Sequence, residues 1–183
     1  MKNSILLILS VLFLACENKD EFSAATVEGL ADLPANAIKE PYEANPDLVK
    51  VTLNPNGAKI IGDYLNGKKS GAWTEYHANG LVKSVTGYVN GVKQGGYTEV
   101  DDRGQLLISA YYFNGELHGD WKQYIRTRVK EERTYINGKL EGIVNIYYDN
   151  GKIMEEGSYA NGVRDGLSKW YDQEGNVTIE YEY

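Results

Sequence analysis

Tyr64-Leu65-Asn66-Gly67-Lys68-Lys69-Ser70-Gly71-Ala72-Trp73-Thr74-Glu75-Tyr76-His77-Ala78-Asn79-Gly80 is the stretch that decides the fold. Two Asn-Gly pairs bracket a run of aromatic and small residues. Asn-Gly takes positive φ cheaply, as a tight hairpin turn requires. Tyr and Trp suit a pleated, half-buried strand. The stretch therefore reads as turn, strand, turn.

Outward from it, the pattern repeats. Asn-Gly recurs at Asn66-Gly67, Asn90-Gly91, Asn114-Gly115, Asn137-Gly138 and Asn161-Gly162, at spacings of 24, 24, 23 and 24. Tyr64, Tyr88, Tyr112, Tyr135 and Tyr159 each stand two residues before the Asn. Gly71, Gly95, Gly119, Gly142 and Gly166 stand four after the turn glycine, read here as sparing a Cβ clash where the next strand starts. Tyr76, Val100, Tyr124, Tyr147 and Tyr171 follow, then second turn glycines at Gly80, Gly104, Gly151 and Gly175. A fixed period with two turns per unit predicts an all-β, elongated, twisted antiparallel meander of about five hairpin repeats. About twelve strands at ~4.8 Å spacing make a ribbon roughly 55 Å long. Val82–Val89 and Ala72–His77 are two of them. Val82, Leu106, Val129 and Ile153 lie six residues before a marker tyrosine, and even spacing places them on its face. One turn is irregular: Thr127-Arg128 replaces the glycine, and Arg126, Arg128 and Lys130 make it basic.

Val51–Gly57 reads as half a repeat, and the repeat domain is set at 51–183. Before it, Pro34, Pro41 and Pro46 mark a change of composition, so 16–50 reads as a flexible tether, with a short helix around Ala24–Leu33. Residues 1–15 have the layout of a signal peptide: Lys2, then an apolar run from Ile5 to Ala15 broken only by Ser10. Phe13-Leu14-Ala15-Cys16 resembles a bacterial lipobox, which implies lipidation of Cys16, the single cysteine. Acyl chains there give a stable anchor. Lys19-Asp20-Glu21 resembles the surface-export signal of Bacteroidota lipoproteins. The expected location is the outer membrane, on its periplasmic or surface face.

Tyr64-Leu65-Asn66-Gly67-Lys68-Lys69-Ser70-Gly71 and Gly71-Ala72-Trp73-Thr74-Glu75-Tyr76-His77-Ala78-Asn79-Gly80 resemble the bacterial variant of the MORN repeat, of the YwqK-like kind, over about residues 51–183. Trp73 and Trp121 keep the aromatic after the glycine, and Tyr97 substitutes; Val144 and Ser168 depart, with Trp170 nearby. The resemblance implies a scaffold, dimerisation module or binding surface. Some relatives bear an antitoxin label, which fits an exported protein poorly.

The formal charge of −7 gives no footing for nucleic acid, which needs clustered Lys and Arg. His77 and His118 occupy unrelated registers, so neither a metal pair nor a nucleophile–base set is expected. Asp101-Asp102, Glu131-Glu132 and Glu155-Glu156 are adjacent on strands and point to opposite faces. Asp172-Gln173-Glu174-Gly175-Asn176 lacks the distal acid of a calcium loop. No enzyme and no cofactor are expected; a hydrolase is the weakest alternative. The expectation is a membrane-anchored module that binds a protein or its own copies. The alternative is glycan or peptide binding on the aromatic face. Trp73, Tyr76, Trp121, Tyr124, Arg126, Arg128 and Lys130 form the candidate partner surface, and the thinned aromatics of the last two units mark a second place to look.

Overall fold

A computed structural model describes residues 29–183. The signal peptide, Cys16 and the export-like run lie outside the described residues. The chain forms one antiparallel sheet of 15 strands. They are β1 Ile38–Tyr42, β2 Asn45–Leu53, β3 Lys59–Leu65, β4 Lys68–Tyr76, β5 Val82–Val89, β6 Val92–Val100, β7 Leu106–Phe113, β8 Glu116–Leu117, β9 Gly119–Ile125, β10 Arg128–Ile136, β11 Lys139–Leu140, β12 Gly142–Tyr147, β13 Ile153–Ala160, β14 Val163–Tyr171 and β15 Val177–Glu182. Strands neighbour one another in chain order, with the two-residue β8 and β11 pairing only with β7 and β10. The meander read from the repeats is the observed architecture. β5 has the expected bounds, whereas β4 runs from Lys68, earlier than expected.

Each Asn-Gly turn is left-handed at both residues, with Asn φ between 49° and 52°. The turns also climb in steps. Gly91 N–H donates to Lys69 O, Gly115 to Lys93 O, Gly138 to Leu117 O and Gly162 to Leu140 O, at 2.8–2.9 Å. Each unit thus hangs on the one before it, as in other repeat proteins. Gly71 and its counterparts have φ from 70° to 89°, and a Cβ at Gly71 would meet nothing. Backbone hand, not crowding, calls for glycine there.

Three expectations are corrected. The sheet begins at Ile38, inside the segment read as tether. β1 and β2 form an added hairpin, and Leu30 and Leu33 pack with Val49, Val51, Tyr64 and Trp73 in the core of the first unit. Of the expected short helix, the described residues contain a single turn over Leu30–Asp32, and its earlier part lies outside them. Val82, Leu106, Val129, Ile153 and Val177 do not share the tyrosine face. A bulge beside each one adds a residue and reverses the alternation, so they pair with Tyr76, Val100, Tyr124, Tyr147 and Tyr171.

The irregular turn is also one residue earlier than expected. Ile125 pairs with Arg128, and Arg126 and Thr127 take φ of 51° and 71°. A β-branched residue is strained there. Arg126→Asn with Thr127→Gly should raise unfolding free energy by about 1–2 kcal/mol in urea melts, the usual left-handed cost. An unchanged midpoint would show the turn is relaxed.

Candidate interaction surface

The two faces differ. Up to β14 the marker-tyrosine face is filled by its own side chains, whereas Ile179, Tyr181 and Tyr183 at the end of the sheet are 52–58% exposed. Tyr64, Tyr112 and Tyr135 are buried, and so are Trp73, Ala110, Val144 and Ser168. Trp73 meets Tyr64 edge-on at 5.3 Å and Tyr88 at 6.2 Å, and its indole N–H donates to Asp63 O at 3.1 Å. Between tyrosines lie long cations. Lys69 covers Trp73 and Tyr88, and Lys93 covers Tyr112, at 4.7–5.5 Å. Burial, then the nearby Lys69, lowers the Lys93 ammonium from its ordinary range.

Toward the C-terminus arginine takes over. Arg133 lies 4.8 Å above Trp121, pairs with Glu131 and donates to the Tyr135 hydroxyl at 3.0 Å. Arg164 contacts the rings of Tyr159, Trp170 and Tyr183, pairs with Glu155 and donates to Ser168 Oγ. Val144 and Ser168, where the repeat loses its aromatic, are therefore closed over, and exposed rings on this face are left at Tyr181 and Tyr183 of the last strand.

The sequence-selected surface residues do not converge. Trp73 is 5% exposed and belongs to the core. Trp121 lies under Arg133, and Tyr76 lies 5.9 Å from the Lys59 ammonium on the other face. Tyr124 is half-buried opposite Val129. Arg128 donates to Asp149 O and Lys130 Nζ to Tyr147 O, both at 2.6 Å, tying their turn to the next unit. Arg126 is exposed. His77 Nε2 hydrogen-bonds Val100 O at 2.9 Å, and Asn79 Nδ2 donates to Asp102 O. His118 Nδ1 accepts from the amide of Asn137, the place Gln94 and Glu141 fill for Asn114 and Asn161. Both histidines thus serve turns in separate units. Among the described residues no group of three His, Cys, Asp or Glu is placed to hold a metal.

The opposite face carries polar pairs along its middle. Lys122 donates to Glu132 at 2.7 Å, and the Tyr147 hydroxyl donates to the other oxygen of Glu132 at 2.7 Å. Those two bonds hold the Glu132 carboxyl below its ordinary value of 4.5, Lys122 first. Burial, then Glu132, pushes the Tyr147 hydroxyl up to about 12. A depressed carboxyl stabilises the fold fully above its unfolded pKa, and the contribution is lost as pH falls through the folded one. Glu132→Gln should therefore flatten the acid limb of the stability profile by less than ~1 kcal/mol, the pair being partly exposed. An identical profile in melts across that range would remove the pair from the account.

Along the Asn-Gly edge of this second face runs an exposed apolar strip. Val89, Val92, Tyr111, Phe113, Ile136, Ile143, Val163 and Leu167 are 37–65% exposed. Their face follows from pairing: Val89 opposes Val92, Tyr111 opposes Gly96, and Phe113 opposes Glu116. Exposed apolar residues gathered on one side of a sheet in this way mark a contact site rather than ordinary surface. Sequence reasoning missed it, though the signal was present. Val89, Phe113 and Ile136 each follow a marker tyrosine that faces the ladder and must point the other way.

The step of 23–24 residues, with its left-handed turns and glycine bulges, runs through β14 to the last strand. The sequence model of the family described as MORN repeat variant matches residues 140–161 and 164–183. Over these two stretches the chain is similar to MORN-variant repeats. The three units before them carry the same turns and bulges. No curated protein matches the chain. Solved structures also align with it, two of which follow. One is the GtfA/B complex bound to UDP and GlcNAc, at 14% identity over 70% of this chain and 24% of that one, with a TM-score of 0.27. The other is accessory secretory protein 1,2 and 3 in Streptococcus pneumoniae, at 15% identity over 73% and 21%, with a TM-score of 0.28. The chain spans about a quarter of their length or less.

Proposed function

We propose that this chain is a non-enzymatic, lipid-anchored envelope protein whose MORN ribbon binds another protein through the exposed strip. The observation that carries the reading is the contrast between faces: the tyrosine ladder is packed from Tyr64 to Tyr159 and opens only at the last strand, at Tyr181 and Tyr183, while the strip stands open along several units beside it. Apolar surface of this extent marks protein contact sites. The engagement of His77 and His118 in separate turns favours binding over catalysis. Glycan binding would need a row of exposed aromatic faces, and the ladder offers only Tyr181 and Tyr183 at its end, its earlier rings being covered by lysine and arginine.

The test is photo-cross-linking in cells. Benzoylphenylalanine at Phe113 should give a protein adduct, and the same probe at Thr98, on the same face outside the strip, should not. Adducts at Thr98 alone, or none at Phe113, would sink the proposal. Anchoring is tested separately. Cys16→Ser should move the protein from the membrane to the soluble fraction, because the acyl chains supply the stable attachment. An unprocessed variant that stays with the membrane would point to a helical anchor instead.

A further inference from the structure

We infer that the outer edge of β15 is a second site, separate from the strip, which takes an extended, cationic segment of a different protein as one more antiparallel strand. β15 is hydrogen-bonded to β14 on one side, and no other strand of the described residues pairs with its far side. Tyr183 N–H donates to Gly166 O at 3.0 Å, and Gly166 N–H donates to Tyr183 O at 3.3 Å. Along an antiparallel strand, alternate residues turn their backbone groups to opposite sides. Glu182 and Glu180 therefore present N–H and C=O outward, the groups that strand addition uses.

The inner units show what this edge lacks. Tyr112 and Tyr135 have a strand on either side and are 3% and 9% exposed, whereas Tyr183, at the same place in the repeat, is 52% exposed. The strand that completes an inner unit has a readable pattern. β14 sets Arg164 opposite Tyr159, Lys169 opposite Glu156 and Trp170 opposite Glu155. Tyr183, Glu180 and Ile179 stand 24 residues on from those three partners. A fitting strand therefore brings a cation to Tyr183, a Lys or Arg to Glu180 and an apolar or aromatic side chain to Ile179. Tyr183 already has Arg164 at 5.4 Å from the β14 side, as Tyr88 has Lys69 on one side and Lys93 opposite it on the other.

Charge selects the occupant. Glu180 has only Lys169, at 3.5 Å, and its side chain is half exposed. The whole chain carries −7, which draws a cationic segment. A second copy is a poor occupant on both of its terminal strands. Its β15, laid antiparallel on this edge, sets Glu180 opposite or diagonal to an acid of the same strand, which repels. Its β1 has five residues and a register shift after Pro41, which lacks an N–H.

The probe is a fluorescein-labelled synthetic peptide with the sequence of Val163–Tyr171, which carries the pattern. Its anisotropy is read against the full-length chain in detergent, and saturable binding is expected. Changing the peptide's lysine to glutamate should weaken binding by at least about tenfold, and Glu180→Lys in the protein should restore it for that peptide. Glu180→Pro removes an outward N–H, which an edge strand tolerates, and should abolish binding where Glu180→Gln only weakens it. Urea melts check that each variant stays folded. On adding the peptide, amide exchange should slow at Glu180 and Glu182 and stay unchanged in β14. No binding, binding indifferent to both charge changes, or loosening of β14, as exchange for the resident strand would cause, would each overturn the inference. Phe113→Ser should leave peptide binding unchanged, and weakening there would place the peptide on the strip and overturn it too. Peptide binding without adducts at Phe113 removes the strip reading alone, and the reverse removes this edge alone.

Discussion

Replacing Trp73 by alanine is expected to lower the unfolding free energy by about 3–5 kcal/mol, the range for truncating a buried large aromatic. The site explains why it falls at the high end. The indole lies directly over Gly62, where a Cβ would come within 2.2 Å of the ring. It meets Tyr64 and Tyr88 edge-on and donates to Asp63 O. Truncation leaves a void that Gly62 cannot fill and a carbonyl without its donor. The front cluster of Leu33, Val49, Val51 and Tyr64 loses its wall. Because repeats contact their neighbours, the damage should be local. Amide exchange should rise across β2–β5 and stay near wild type in β13 and β14. A small loss spread evenly over the chain would contradict this packing.

Gly138→Val is expected to cost about 2 kcal/mol, from a branched residue forced into the left-handed region. Gly138 has φ of 75°, and its amide donates to Leu117 O at 2.8 Å, so the turn cannot relax without releasing the step between units. Space is not the obstacle, since the nearest atom to a new Cβ is Glu116 Cβ at 3.7 Å. Gly138→Asn therefore serves as the control, because Asn tolerates this conformation. Urea melts should rank Val well below Asn. Equal losses would place the cost in packing rather than backbone hand.

The turns were legible in the sequence because positive φ restricts residue choice so strongly that Asn-Gly leaves a periodic mark. The bulge glycines were legible by period but not by cause. Even-spacing arguments failed at Val82 and its counterparts, because a bulge invisible in composition reverses the alternation. β1 and β2 were hidden by their prolines. Pro41 lies in β1, a strand with a neighbour on one side only, and such edges accept proline. The alternation of Val49, Val51 and Leu53 was the signal to follow. The partner surface was misplaced for a related reason. Period alone reads the tyrosine ladder as core but does not show that Trp73 and Trp121 belong to it, and the roles of Arg128 and Lys130 depend on carbonyls in the next unit that sequence does not bring together. Charge and length could not say which face stands open.

The most direct test of which face binds is hydroxyl-radical footprinting of the chain on cells, compared with the same protein purified and diluted. Protection on the cells is predicted at Tyr111, Phe113, Ile136 and Val163, with Tyr88 and Tyr159 unchanged. Protection at Tyr88 and Tyr159 with the strip left reactive would contradict the account.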